Sequence, residues 1–532
     1  MVLHSGPFRG VNPLVTMVSV LVMVAFISLA ILFPEATTGL IDRGRTYVTF
    51  YFNWWYVGLA ASFLIFLLAL AFSKYGRLKL GEEDDKPEFG YFTWFAMLYA
   101  AGQGIGIIFW SIAEPIMHLS HGTPFSSAVG NGEAADVAMR LAYFHWGLNA
   151  WAIYCIVALG LALMAYRYGK PLSIRYTLYP ILGEKVNGWI GNLIDIIAVF
   201  ATLFGIATSL GLGVQQINSG LNYLWDVPVN SLVQVALICV ITVLALISVL
   251  TGLKRGIKYL SQANMWLTFL LLAFFFVFGP TRYIIGGFLD SVGDYARSVI
   301  PLSFYTGSNV TAANGADSWQ DSWQGWWTVF YWGWWMSWAP FVGVFVARVS
   351  RGRTIREFIF GVVGVSSLLS FVWLSAYGGT AIHEELFGNG GIANAVANDV
   401  SLALYATFSS MDVGVVGVLA GFFGTVLVAT YFITSSDSGT LVITTILSEG
   451  DPHPLSRHRV FWGLMEGAIA AVLLLVGGVW ALSTLQTAAI LSALPFSVIM
   501  ALMAYSILRA VQQDSYFRKP HTLTSATGGQ GR

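Results

Sequence analysis

The sequence predicts an all-α polytopic membrane protein of about twelve transmembrane helices, built as two five-helix halves of opposite orientation behind two extra N-terminal helices. Three observations carry this. The 532 residues are 56% hydrophobic and 10% charged, with a mean hydropathy of +0.70, which is far from a soluble domain. Apolar runs fall near 13–33, 52–72, 91–118, 139–165, 190–222, 229–252, 261–281, 324–349, 358–378, 412–446, 461–479 and 484–508, long enough for a ~30 Å hydrocarbon core. Their connections alternate in charge. Lys74, Arg77, Lys79 and Lys86 lie in one, and Arg167, Lys170, Arg175 and Lys185 in the next but one. The series continues with Lys254, Arg255 and Lys258, then Arg348, Arg351, Arg353 and Arg356, then Arg457 and Arg459, then Arg509, Arg518 and Lys519. Segments 223–228, 379–411 and 480–483 carry no Lys or Arg. The positive-inside rule then places both termini in the cytoplasm, with the chain in the plasma (inner) membrane.

Residues 1–85 form the two-helix addition, its first run being a span and not a removed signal. Residues 86–283 form the first half. In its opening span, Ala100-Ala-Gly-Gln-Gly-Ile-Gly106 crowds glycines into the apolar run and Ala113-Glu-Pro115 follows, so an interrupted helix is expected. The next span carries His145-Trp-Gly-Leu-Asn-Ala-Trp-Ala-Ile-Tyr154, with Trp151 and Tyr154 one turn apart. Alone, that is ordinary aromatic packing. Residues 284–300 alternate at helical spacing and predict an amphipathic interfacial helix within the outer segment 284–320.

The second half, 321–508, opens on six tryptophans: Trp326, Trp327, Trp332, Trp334, Trp335 and Trp338. The first two suit an interfacial belt. With a helix beginning near Gln324, Trp335 and Trp338 lie roughly 16–21 Å in, near the midplane. Tyr331, Trp335 and Trp338 share a face with Trp334 on its flank, and Gly333 and Pro340 predict a second interrupted helix. The two interrupted spans are five apart, so they run in opposite directions, which points to an inverted repeat with its site at the midplane. Indole faces there suit a cation that cannot donate hydrogen bonds, at about 0.5–2 kcal/mol per ring; plain helix packing favours small residues instead.

Further on, Tyr431-Phe-Ile-Thr-Ser-Ser-Asp-Ser438 is hydroxyl-rich, and back-bonding to the helix accounts for Ser436 and Ser438. An Arg348–Asp437 ion pair is expected at a cytoplasmic gate, and Glu114 is read as bracing the end of its span. Residues 509–532 read as a short disordered tail. Asn309-Val-Thr311 is a glycosylation sequon by pattern alone. Zero formal net charge gives no argument for nucleic acid, and Cys155 and Cys239 sit in apolar spans without a disulfide or metal pattern. No His/Glu/Asp cluster appears in any span, against an enzyme; no repeated ring of charge or carbonyls appears, against a channel.

The run Trp327-Thr-Val-Phe-Tyr-Trp-Gly-Trp-Trp-Met-Ser-Trp-Ala-Pro-Phe341, followed by Ala347-Arg-Val-Ser-Arg-Gly-Arg-Thr-Ile-Arg-Glu-Phe358, resembles the signature of the betaine/carnitine/choline transporter family. The resemblance covers essentially the whole membrane part. It implies a LeuT-like fold, a homotrimer in the lipid bilayer, and sodium-coupled import of a zwitterionic quaternary-ammonium solute by alternating access. Glycine betaine is foremost, with carnitine, choline, dimethylsulfoniopropionate, ectoine and proton coupling as alternatives. No cofactor is implied beyond the coupling ion. The family pattern places substrate-lining aromatics at Trp146, Trp151, Tyr154, Trp332, Trp334, Trp335 and Trp338, and substrate-contacting glycines at Gly102, Gly104 and Gly106. Trp334, Trp335, Trp338 and Tyr154 are taken as the central cage, Trp146 and Trp332 as gate or transient sites.

The same pattern implies a sodium site at Thr434 and Ser435 with the carbonyls of Ala100, Gln103 and Tyr431. Gln103 and Tyr431 depart from the family's common side chains. A second family sodium site needs two threonines one turn apart, and here Thr202 is followed by Ile206. Residues 196–221 contain no basic residue, which favours ion coupling over sodium-independent exchange. The tail is shorter than those with which some members sense osmotic stress. Choline carriers of the family have aspartate where this chain has Gly106. No Asp or Glu falls in 100–110, 146–154 or 331–341, so a zwitterion is expected over choline, its carboxylate received by unwound helix termini.

Overall fold

A computed structural model describes residues 2–3, 6, 8–251, 256–309 and 323–518. The expectations for Lys254, Arg255, Thr311 of the sequon, the outer segment from 310 to 320 and the tail beyond 518 lie outside the described residues.

The described chain is a succession of helices without a named strand. Fifteen long ones position the site: α1 (Pro13–Leu32), α2 (Pro34–Phe72), α3 (Tyr91–Gly102), α4 (Ile105–His121), α5 (Gly132–Trp146), α6 (Leu148–Ala162), α7 (Trp189–Trp225), α8 (Ser231–Thr251), α9 (Gly256–Phe278), α10 (Thr281–Ser303), α11 (Thr328–Arg348), α12 (Ser366–Phe387), α13 (Val415–Leu447), α14 (Ser456–Gly477) and α15 (Ala481–Gln513). Ten helical stretches among the described residues are long and apolar enough to cross a membrane, and α3 with α4 adds an eleventh if that bent pair is one span. Helix α11 stands outside this number, although its 21 residues carry no charge before Arg348, because Trp and Tyr weigh against it on a hydropathy index. The protein is a multi-pass membrane protein.

Burial divides the helices as a bilayer requires. Helices α1, α8 and α9 show mostly apolar side chains outward, among them Leu21, Ile31, Leu232, Ile247, Trp266 and Val277, as lipid-facing helices must. Helices α5, α6 and α11 are buried nearly all round, and α11 packs against α6, α7 and α15. Helix α10 is amphipathic as expected, with Ile284 and Tyr295 inward and Asp290 and Asp294 lining a cleft of about 540 Å³ with Asp136.

The two segments read as interrupted behave differently. Helices α3 and α4 meet at a 71° bend, with Gln103 and Gly104 between them. The expected interruption of the Trp-rich helix is not there: α11 runs unbroken from Thr328 through Gly333 and Pro340 to Arg348. Its start at Thr328, not Gln324, keeps Trp335 and Trp338 near mid-helix, about 10–15 Å in. Packing explains the continuity. A Cβ on Gly333 would come within 3.0 Å of the Ile490 backbone and one on Gly343 within 2.6 Å of Val157. Those glycines let neighbouring helices approach closely, so they serve packing and not a break.

Candidate functional site

The bend brings each glycine of the motif against a tryptophan. A Cβ on Gly102 would lie 2.4 Å from the Trp151 ring, and one on Gly106 2.5 Å from the Trp334 ring. Gly104 faces Trp338 and Ser435 at ordinary contact distances of 3.7 and 3.8 Å. Only a residue without a Cβ allows such approaches without displacing a ring. Beyond the bend, the first turn of α4 has no side-chain cap, so its backbone N–H groups and positive dipole end stay available to an anion.

Around this bend the aromatic side chains form one stack. Trp334 and Trp335 lie nearly parallel with ring centroids 4.8 Å apart, and Tyr331 stacks on Trp335 at 5.6 Å. Trp146 meets Trp335 edge-on at 4.8 Å and Tyr154 does so at 5.9 Å. Trp151 reaches the stack through Tyr154, at 5.7 Å. These rings are in contact, so a trimethylammonium group enters between them only if they part.

Two members of the expected set stand apart. Trp338 has ring contact with Phe341, at 5.2 Å, and none with the stack; its N–H donates to the Gly205 carbonyl at 3.1 Å. Trp332 points to the other side, against Phe144 and His145. Trp338 therefore belongs beside Gly104 and not in the central cage, and Trp332 is a buried packing residue here. Helical geometry is the cause: Trp335 meets Trp146 and Tyr154, Trp332 sits one turn earlier against Phe144 and His145 of α5, and Trp338 is directed to Gly205 of α7.

Polar atoms in the stack are almost all occupied. The indole N–H groups of Trp334, Trp335, Trp146 and Trp151 donate to Ser209 Oγ, the His145 carbonyl, Glu114 Oε2 and Ser370 Oγ at 3.3, 3.0, 2.9 and 3.4 Å. Their π faces are what remains to offer. The hydroxyl of Tyr154 is fully buried and has no hydrogen-bond partner, a costly arrangement unless something binds there.

The expected ion ligands converge only in part. Ser435 lies beside Gly104 at the bend. Thr434 is turned to α9, where Asn264 Nδ2 donates to its Oγ at 3.1 Å, and its own hydroxyl bonds back to the Thr430 and Tyr431 carbonyls at 3.1 Å. Gln103 Nε2 donates to Ser370 Oγ at 3.0 Å, and the Tyr431 side chain pairs with Thr268. Ala100 is exposed, two residues before the end of α3. Asn264, fully buried with an unpartnered Oδ1, was not found from sequence, since a lone Asn in an apolar run carries no pattern.

Three further expectations change. Asp437 pairs with Arg459 and accepts from Ser248, with no ion pair to Arg348; Arg459 opens the next helix and reaches Asp437 from the facing turn, whereas Arg348 ends beside Tyr166. A His/Glu cluster does exist: Glu114, His118 and His145 are all buried with ligand atoms within 4.8 Å of one another. The His145 Nδ1–Glu114 Oε1 separation of 2.5 Å is shorter than the ~3.3 Å between two ligands of a tetrahedral ion, so the group is arranged as a hydrogen-bonded cluster. Third, Glu114 does more than brace a helix end. It backs the aromatic stack, although it lies outside the three segments that hold no carboxylate. The i, i+4 pair Glu114/His118 was a signal that could have been read.

A family profile described as "BCCT, betaine/carnitine/choline family transporter" matches residues 14–516. The chain is 42% identical over 498 residues to a probable glycine betaine transporter of Desulfitobacterium hafniense, covering 93% of this chain and 97% of that one. It is 44% identical over 482 residues to the glycine betaine transporter OpuD of Bacillus subtilis, covering 90% and 91%. An ectoine/hydroxyectoine transporter of Virgibacillus pantothenticus is 39% identical over 503 residues, covering 94% and 97%.

Proposed function

Because the chain belongs to the betaine/carnitine/choline transporter family, we propose that it imports a zwitterionic quaternary-ammonium solute, glycine betaine foremost, by sodium-coupled alternating access. The observation that carries this is the aromatic stack at the α3–α4 bend, with its N–H groups spent and one buried hydroxyl unpartnered. A trimethylammonium has no proton to donate, so it is recognised by ring faces, each contributing about 0.5–2 kcal/mol. Trp335 is central, with Trp334, Trp146 and Tyr154 around it. The substrate carboxylate takes the Tyr154 hydroxyl and the free N–H groups at the start of α4. Sodium sits between the bend and α13, held by Ser435 and the carbonyls of Ala100, Gln103 and Tyr431, with Thr434 joining once its bond to Asn264 rearranges.

The wider frame is part of the same proposal. Twelve spans include α11, the two halves are inverted repeats with only the first visibly broken, three copies assemble, and both termini face the cytoplasm. Ectoine is the second reading, favoured by the Virgibacillus relative; it too is a zwitterion.

Uptake of labelled glycine betaine into proteoliposomes, with an inward sodium gradient and without it, tests the proposal. Accumulation that requires sodium is expected. Accumulation driven by a proton gradient alone would remove the sodium assignment, and no accumulation of betaine would remove the substrate.

A further inference from the structure

Glu114 stands directly behind the aromatic stack, and the transport reading gives it no part. It is fully buried on α4, eight residues beyond Gly106, about 12 Å along the helix from the bend. Its two oxygens face different ways. Oε2 accepts the Trp146 indole N–H at 2.9 Å and the Tyr331 hydroxyl at 2.6 Å. Oε1 lies 2.5 Å from His145 Nδ1 and 3.5 Å from His118 Nε2, while His145 Nε2 is 3.1 Å from Thr328 Oγ.

The two donors on Oε2 come from different helices, Trp146 from α5 and Tyr331 from α11. Both of their rings rest on Trp335, one edge-on and one stacked. A single carboxylate oxygen thus pins two walls of the stack to α4, the helix that begins at the bend. We propose that Glu114 is a positioning residue for the substrate site: it holds Trp146 and Tyr331 against Trp335, and carries movement of α4 to both rings together. This rests on the stack being the substrate site.

The chemistry needs an acceptor at Oε2, not a negative charge. A glutamine whose carbonyl oxygen takes the place of Oε2 accepts the same two bonds. Its NH₂ then faces His145 Nδ1, which accepts from it when the ring proton sits on Nε2 toward Thr328. A leucine of similar size removes the acceptor and leaves two buried donors unpaired.

The test is glycine betaine uptake kinetics in proteoliposomes for wild type, Glu114→Gln, Glu114→Leu, Tyr331→Phe and Glu114→Leu/Tyr331→Phe, with size-exclusion profiles as the folding control. Glu114→Leu should raise KM about tenfold or more, and Glu114→Gln should stay within about threefold. Tyr331→Phe should raise KM by itself yet add almost nothing to Glu114→Leu, because the Tyr331 bond is already lost in that variant. If Glu114→Leu does not fold, Tyr331→Phe decides: a raised KM supports the inference, and an unchanged one overturns it. Glutamine behaving as leucine would overturn the acceptor role in favour of charge pairing with the histidines. Wild-type KM in Glu114→Leu would overturn positioning outright while betaine transport stands. Wild type that does not transport betaine would refute the proposed substrate, and this inference with it.

Discussion

The glycine motif of α3–α4 and the Gly333–Pro340 stretch of α11 both carry helix breakers, yet only the first breaks. At the motif, the glycines face flat rings: Trp151 opposite Gly102 and Trp334 opposite Gly106. On α11, Gly333 faces the backbone of another helix at Ile490. A ring can swing aside and a backbone cannot. Breakers against movable side chains mark a working bend, and breakers against backbone mark tight packing. The motif supplies the mobility in this account, and α11 supplies the rings.

The largest effects should come from filling the motif. Gly106→Ala pushes a methyl to 2.5 Å from the Trp334 ring, and overpacking of that kind costs about 1–3 kcal/mol. Betaine uptake should fall about tenfold or more, with a smaller fall in melting temperature than Gly333→Ala, because a ring that moves releases more of that strain than a backbone does. Gly333→Ala should show the reverse, a lower melting temperature and a smaller change in KM. Equal thermal effects would erase the distinction between the two helices. Gly106→Asp must also displace Trp334. It should lose betaine uptake like Gly106→Ala and, unlike it, gain choline uptake, because its carboxylate supplies the charge choline lacks. Choline and betaine uptake measured side by side check this.

Next in size is the ion. Ser435 lies at the bend and Thr434 is turned to Asn264, so Ser435→Ala should raise the half-saturating sodium concentration more than Thr434→Ala. The double variant should raise it most. A double variant with wild-type sodium dependence would place the ion elsewhere or make it a proton.

Tyr154→Phe removes the unpartnered hydroxyl without touching the ring. A hydrogen bond to a charged partner contributes about 1.5–3 kcal/mol, so the betaine KM should rise about tenfold or more, and stability should hold or improve. Unchanged kinetics would mean that the carboxylate goes only to the start of α4. The smallest effect belongs to Pro340→Ala. Helix α11 is already continuous there, so uptake should stay within about twofold and the melting temperature should not fall. A large loss of transport would show that Pro340 works as a hinge during the cycle.

Much of this was legible in the sequence because it follows from periodicity and length. The spans, the amphipathic α10 and the break at Gly102–Gly106 need only hydropathy and breaker chemistry. The aromatics were legible as residue types but not as neighbours. Trp332 and Trp338 share the density of Trp334 and Trp335, and only the direction of each side chain separates them from the stack. Long-range polar choices were hidden for a different reason. Arg348 and Arg459 are both plausible partners for Asp437 by charge, and which guanidinium arrives depends on the packing of α13 on α14. The role of Glu114 beyond bracing its span is hidden because its partners Trp146 and Tyr331 come from two other helices.

Trp335 is the ring that every other member of the stack touches or reaches through a neighbour, so its removal tests the account most directly. The measurement is the glycine betaine KM of Trp335→Leu at saturating sodium, read against Trp338→Leu under the same conditions. Loss of a central cation–π face corresponds to about tenfold or more in KM, and Trp335→Leu should show it with normal expression while Trp338→Leu shows less. Wild-type KM in Trp335→Leu, or a larger effect at Trp338, would contradict the stack as the substrate site.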